Sequence, residues 1–162
     1  MNKQIKYIIY HLVIVCVLPS ILFAQKQKTL ANLVAAEKHY NALKYAYAIP
    51  LLEKVLAEEP GQAKATELLA NAYRKTKQYQ PAAQWYGQLV KLSPFKPEWA
   101  LAYAEVLANL SQYDASETWY KKYLALASSD YRASAFASAY PSVSSFMQQK
   151  RRWSIGFTNL NT

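Results

Sequence analysis

The stretch AKATELLANAYRKTKQYQPAAQWYGQLVKLSPFK, from Ala63 to Lys96, decides the fold. Leu69, Ala70 and Tyr73 fall on one stripe of a first helix. Tyr79, Ala82, Tyr86 and Leu89 fall on one stripe of a second, and Ser93-Pro94 stops it. These spacings of three and four give each helix a single apolar face. Ala70 and Ala82 are small, as required where two helix backbones approach closely. The stretch therefore reads as a helix–turn–helix unit.

The unit recurs on both sides without an insertion. Tyr45, Tyr79 and Tyr113 are 34 residues apart, and so are Ala36, Ala70 and Ala104. Leu52, Tyr86 and Tyr120 form a third column, and Val55, Leu89 and Tyr123 a fourth. Ala48, Ala82 and Ser116 form a small-residue column, and Pro60, Pro94 and Ser128 mark the stops. A fixed period of this length with these columns resembles the tetratricopeptide repeat (TPR) family. The resemblance implies an all-α, TPR-like α-α superhelix: three hairpins in a right-handed stack plus a capping helix, followed by a short extended C-terminal tail. The fourth position of each unit departs from the family's usual Trp, being Asn32, Thr66 or Ala100. His39 and Leu107 stand in the Tyr73 column.

Outward from the central unit, residues 1–24 read as a secretory signal peptide. Lys3 and Lys6 precede an apolar run from Tyr7 to Leu18, and Ala24 suits cleavage. Cys16, the one cysteine, lies in mid-run after the large Val15, which does not fit a lipidation site. A retained membrane anchor is the alternative, against which the run is short and carries His11. Residues 25–28 form a polar lead-in. The helical domain spans 29–140, as units 29–62, 63–96 and 97–130 and a capping helix over 131–140 that Pro141 should end. Pro50 places the start of its helix near Tyr47 or introduces a mild bend. Asp114 and Glu117 are spaced as a capping box. Over 141–162, a linker leads to Trp153, Ile155 and Phe157, whose alternation predicts a strand. We expect it to be the start of a β domain outside this chain, the alternative being a lid folded back onto the repeats.

Apolar residues make up 52% of the 162, enough for a core, and only 3 glycines argue against a turn-rich β fold. Without cysteine beyond the leader, the chain has no disulfide and no thiolate metal site. The net charge is +9, about +7 without Lys3 and Lys6. The lysines are spread over the repeats, which reads as a solvated exterior, although a basic polyanion-binding module is an alternative. Nucleic acid binding is not expected, since Lys150-Arg151-Arg152-Trp153 is too short a basic run. No phosphate loop, zinc spacing or acid–base pair is present. His39 reads as a packed, hydrogen-bonded histidine of an aromatic column. No enzyme activity, cofactor, metal or small-molecule substrate is therefore expected.

The TPR resemblance implies a groove lined by the first helices of successive units. Its positions read Glu37, Tyr40 and Asn41; Asn71, Arg74 and Lys75; and Glu105, Ala108 and Asn109. Asn71, Arg74 and Lys75 give a polar, basic centre for an extended peptide or a carboxylate. The family's two-carboxylate clamp does not carry over, because Glu67 stands where a cation is needed. The leader, degenerate repeats and terminal strand are also similar to a cell-envelope family. In that family the repeats precede a β-propeller, and often an OmpA-like domain. That resemblance implies an exported scaffold, periplasmic or associated with the outer membrane, with envelope proteins as partners. Type IX secretion components are among them, and membrane contact would come only through the leader or a partner. An inner-membrane-anchored assembly factor is the other reading. The packing positions expected in the core are Ala36, Tyr45, Ala48, Leu69, Ala70, Tyr73, Tyr79, Ala82, Tyr86, Leu89, Ala104, Tyr113 and Tyr120.

Overall fold

A computed structural model of the chain describes residues 23–127 and, beyond them, residues 131, 134, 135, 138, 139, 142 and 145. Six helices run through 23–127: α1 over 23–41, α2 Tyr45–Glu58, α3 Ala63–Lys75, α4 Tyr79–Leu89, α5 Pro97–Asn109 and α6 Tyr113–Leu126. No strand occurs among the described residues, and the fold is the TPR-like helical hairpin array. Of the leader expected over 1–24, residues 1–22 lie outside the described residues and 23 and 24 belong to α1; of the linker and tail expected over 141–162, only Ser142 and Ser145 are described. The described residues from 131 onward are all helical, including Ser142 and Ser145; Pro141, expected to end the capping helix, lies outside them. Among the described residues, no helix is long and apolar enough to cross a membrane.

The 34-residue period is written into the backbone. Leu43, Lys77 and Ser111 have φ of 59°, 59° and 61°, and each closes a first helix. In all three turns the next residue's N–H reaches back five positions: Lys44 to the His39 carbonyl, Gln78 to Tyr73 and Gln112 to Leu107, each at 2.9 Å. The left-handed residue itself donates three positions back, to Tyr40, Arg74 or Ala108. This paired closure satisfies carbonyls that a helix end would leave bare. It also sets where each second helix begins, two residues after the left-handed one.

That turn corrects three sequence boundaries. Leu43, seven residues after Ala36 and so in step with the apolar spacing of α1, is the exposed turn residue. α2 starts at Tyr45, two residues before the position inferred from Pro50, and continues through that proline without a break. α6 starts at Tyr113, so Asp114 lies within its first turn and does not cap it; Gln112 takes the N-cap place without a side-chain bond. Glu117 pairs with Lys121 at 2.8 Å, one turn on. A fourth correction concerns α1. Residues 25–28 are helical, as the favourable propensities of Gln and Lys allow. The Thr29 hydroxyl donates to the Gln25 carbonyl inside that helix at 3.0 Å.

The chain divides into two units, 1–78 and 79–162, at the turn between α3 and α4. In the first, α2 packs against α3, and Ala36, Ala48, Leu52, Val55, Leu69 and Ala70 are fully buried. In the second, α5 packs against α4 and α6. Ala100, Leu101, Ala104, Tyr120 and Tyr123 form its core cluster, with Phe95, Trp119, Leu124 and Ala127 packed around it. Full burial of one such large apolar side chain is worth about 1.5–3 kcal/mol. Ser116 shows why the middle of a second helix must stay small. Its hydroxyl donates to the Ala104 carbonyl at 2.8 Å, a buried bond from α6 to α5. Of the expected packing positions, Tyr45, Tyr79 and Tyr113 are only half-buried. Each opens a second helix at the edge of its hairpin, where a tyrosine can bury its ring and keep its hydroxyl wet.

Candidate functional site

Two surfaces carry concentrated polar or aromatic chemistry, one in each unit. The first is built on α1 and α3. Glu37 on α1 and Lys64 on α3 pair at 2.7 Å. Tyr40, one helical turn beyond Glu37, is half-buried, and its hydroxyl lies within the fields of Tyr45, Arg74 and Glu67. Burial first, and then Tyr45, raises its pKa; Arg74 pulls it the other way, and Glu67 raises it further. Asn71, Arg74 and Lys75 follow at helical spacing on α3, with Asn71 and Arg74 half-buried and Lys75 exposed.

The side chains of this face partly engage one another. The Asn71 amide donates to the Glu67 carbonyl at 2.9 Å, and its Oδ1 accepts from an Arg74 Nη at 3.5 Å. One amide donor of Asn71 therefore serves its own helix, and its oxygen helps to orient the guanidinium. Asn41 lies at the exposed end of α1. The remaining expected groove positions, Glu105 and Asn109, belong to α5 in the second unit. There the Asn109 amide donates to the Glu105 carbonyl at 2.8 Å.

Beneath this face, Tyr73 is 8% exposed and donates its hydroxyl to Glu53 Oε1 on α2 at 2.5 Å. Burial, followed by the hydrogen bond and charge of Glu53, pushes the phenol up to about 12. This bond pins α3 to α2 and fixes the platform on which Asn71 and Arg74 stand. His39, read from sequence as packed, is half-exposed, and its ring stacks on Tyr47 at 5.7 Å. Tyr47 is itself 66% exposed, so the pair lies on the surface at the end of α1.

The second surface was not anticipated from sequence. Within the second unit, α4, α5 and α6 line an open cleft of about 470 Å³. Its floor includes Gly87, whose place a methyl group could take only by approaching the Tyr103 hydroxyl to 3.2 Å. Tyr103 stacks on Tyr86 at 6.3 Å and leans on Trp119 at 5.2 Å. Burial raises the pKa of its hydroxyl. Lys122 Nζ lies 4.7 Å from the Trp119 ring centre and 5.0 Å from that of Phe95, cation–π geometry that holds a positive charge at the rim. Lys91 and the amides of Gln84 and Gln88 complete the lining. The legible signal was Gly87, a glycine inside a helix, where it costs about 0.5–1 kcal/mol relative to alanine and calls for a local reason.

Among the described residues no cluster of His, Cys, Asp and Glu could hold a metal ion.

Comparison with known proteins places this geometry. A family model described as anaphase-promoting complex, cyclosome, subunit 3 matches residues 41–123, just over half of the chain. No curated protein sequence matches. Among solved structures, the first TPR of Spaghetti (RPAP3), bound to the HSP90 peptide SRMEEVD, is similar with a TM-score of 0.64 at 18% identity. That alignment covers 74% of this chain and 94% of that one. PcrH in complex with the chaperone-binding region of PopB has a TM-score of 0.56 at 18% identity, covering 72% and 94%. A T3SS complex from Aeromonas hydrophila has a TM-score of 0.57 at 15% identity, covering 78% and 85%. At these identities the likeness concerns the fold.

Proposed function

The chain belongs to the family described as anaphase-promoting complex, cyclosome, subunit 3, a family of TPR-type helical repeats, and from that premise we propose that it is a non-enzymatic scaffold that docks another protein. The observation that carries this reading is the α1–α3 face. A guanidinium oriented by Asn71 stands beside an exposed lysine and a half-buried phenol, on an α1–α3 pair joined by Glu37–Lys64, with α3 pinned to α2 by the Tyr73–Glu53 bond. Pre-oriented donors on a rigid support favour an extended peptide with carbonyl or carboxylate acceptors. Similar folds engage peptides: one neighbour holds an HSP90 peptide and another the chaperone-binding region of PopB. The two-carboxylate clamp is not part of the proposal, because Glu67 occupies a clamp position with the wrong charge.

We place the scaffold in the cell envelope, exported by the leader over 1–24 and working in the periplasm or at the outer membrane. Its partner there would be an envelope protein, with type IX secretion components as candidates. The leader's charge and apolar pattern support that location. A mature N-terminus at Gln25 is the result expected.

The docking test is affinity capture from envelope extract with the wild-type chain and with Arg74→Glu/Lys75→Glu. Charge reversal puts carboxylates where donors are needed, so the partner should be lost while the helical circular dichroism spectrum stays the same. Capture of the same partner in the same amount by both proteins would remove the α3 face from the account.

A further inference from the structure

We propose that the cleft between α4, α5 and α6 is a second docking site, for an acidic peptide segment that inserts one aromatic side chain. The argument begins with the floor. Tyr103 and Trp119 present tilted rings at 5.2 Å, and Gly87, lacking a side chain, lets the Tyr103 hydroxyl pack close against α4, where an added Cβ would meet it at 3.2 Å. A volume of about 470 Å³ lies in the range of ligand pockets and exceeds what one aromatic ring needs. Aromatic walls favour an aromatic guest, which can meet them in offset or edge-to-face geometry.

The rim supplies the sign of the charge. Lys91 and Lys122 line the cleft, and none of its lining residues is acidic. Lys122 is held over two rings, so its charge stays at the mouth instead of sweeping through solvent. Carboxylates flanking the inserted ring would meet both amines, and the amides of Gln84 and Gln88 can bond the peptide backbone. Sparse backbone bonding around one buried aromatic anchor is the pattern of an interface hot spot. This site shares no residue with the α1–α3 face and does not depend on the reading given to that face.

The test is selection of a random peptide library on the full chain, followed by binding titrations of the enriched peptides. Enriched peptides should carry one Phe, Tyr or Trp flanked by Asp or Glu. Their affinity should fall at least tenfold in Lys91→Glu/Lys122→Glu, fall similarly when the peptide's ring is replaced by alanine, and stay within twofold in Arg74→Glu/Lys75→Glu. Four results would overturn the proposal: no enrichment, enrichment without acidic bias, equal binding to the lysine-reversed variant, or dependence on Arg74 and Lys75. A wild-type chain that self-associates through this cleft would also overturn it, with a second copy as the occupant.

Discussion

Tyr73 shows how one residue can serve both fold and site. It belongs to the apolar stripe read from sequence, but its hydroxyl bonds Glu53, and that partner was not legible because Glu53 lies on another helix, 20 residues away. The raised phenol has a definite pH consequence. The unfolded phenol loses its proton near pH 10, whereas the folded one keeps it to about 12. Its contribution is therefore complete below pH 10 and is lost as pH rises through 10 to 12, with a slope of up to about 1.4 kcal/mol per pH unit. Tyr73→Phe should flatten that part of the stability curve, as measured by urea unfolding at stepped pH; equal slopes in both proteins would contradict the assignment. The left-handed turn residues make a second residue-scale prediction. A non-glycine residue in that region is strained by roughly 1–2 kcal/mol. Lys77→Gly should therefore raise stability by up to about 1 kcal/mol, the gain being reduced by glycine's unfolded-state entropy. The turns were hidden in the sequence because Leu43, Lys77 and Ser111 carry none of the usual marks of a left-handed position.

At the scale of elements, periodicity gave the six helices of residues 23–127, and its errors there were errors of boundary. Apolar spacing reports which face is buried. It does not report where a helix begins, which here is set by backbone closure at the preceding turn. Pro50 was weighed as a start signal, yet the closure at Leu43 and Lys44 acts first and the helix absorbs the proline. The small-residue columns were legible, and Ser116 and Ala104 show their physical content in a direct α6-to-α5 contact. Ala104→Leu should overpack that contact and cost about 1–3 kcal/mol in urea unfolding. Ser116→Ala, which removes only the bond, should cost about 1 kcal/mol. If Ala104→Leu were as stable as wild type, close approach at the small columns would be the wrong reason for them.

For the whole molecule, the period made the fold legible, because six columns repeating over three units leave little freedom for another architecture. The sites were less legible. The α1–α3 face could be named from repeat position, but only the structure shows Asn71 turned back onto its helix and Arg74 held beside it. The aromatic cleft escaped because Tyr103 lies outside the repeating columns, so nothing in the period marked its half-buried ring, whose hydroxyl packs close against Gly87. The central claim is that the molecule works by docking a protein on the α1–α3 face. Its most direct test is site-specific photo-crosslinking in cells, with the reactive side chain placed at Lys75 on α3 or at Lys54, an exposed position on α2. The account predicts one discrete adduct from position 75 and none from position 54. An adduct from position 54 alone, or the same adduct from both positions, would contradict it.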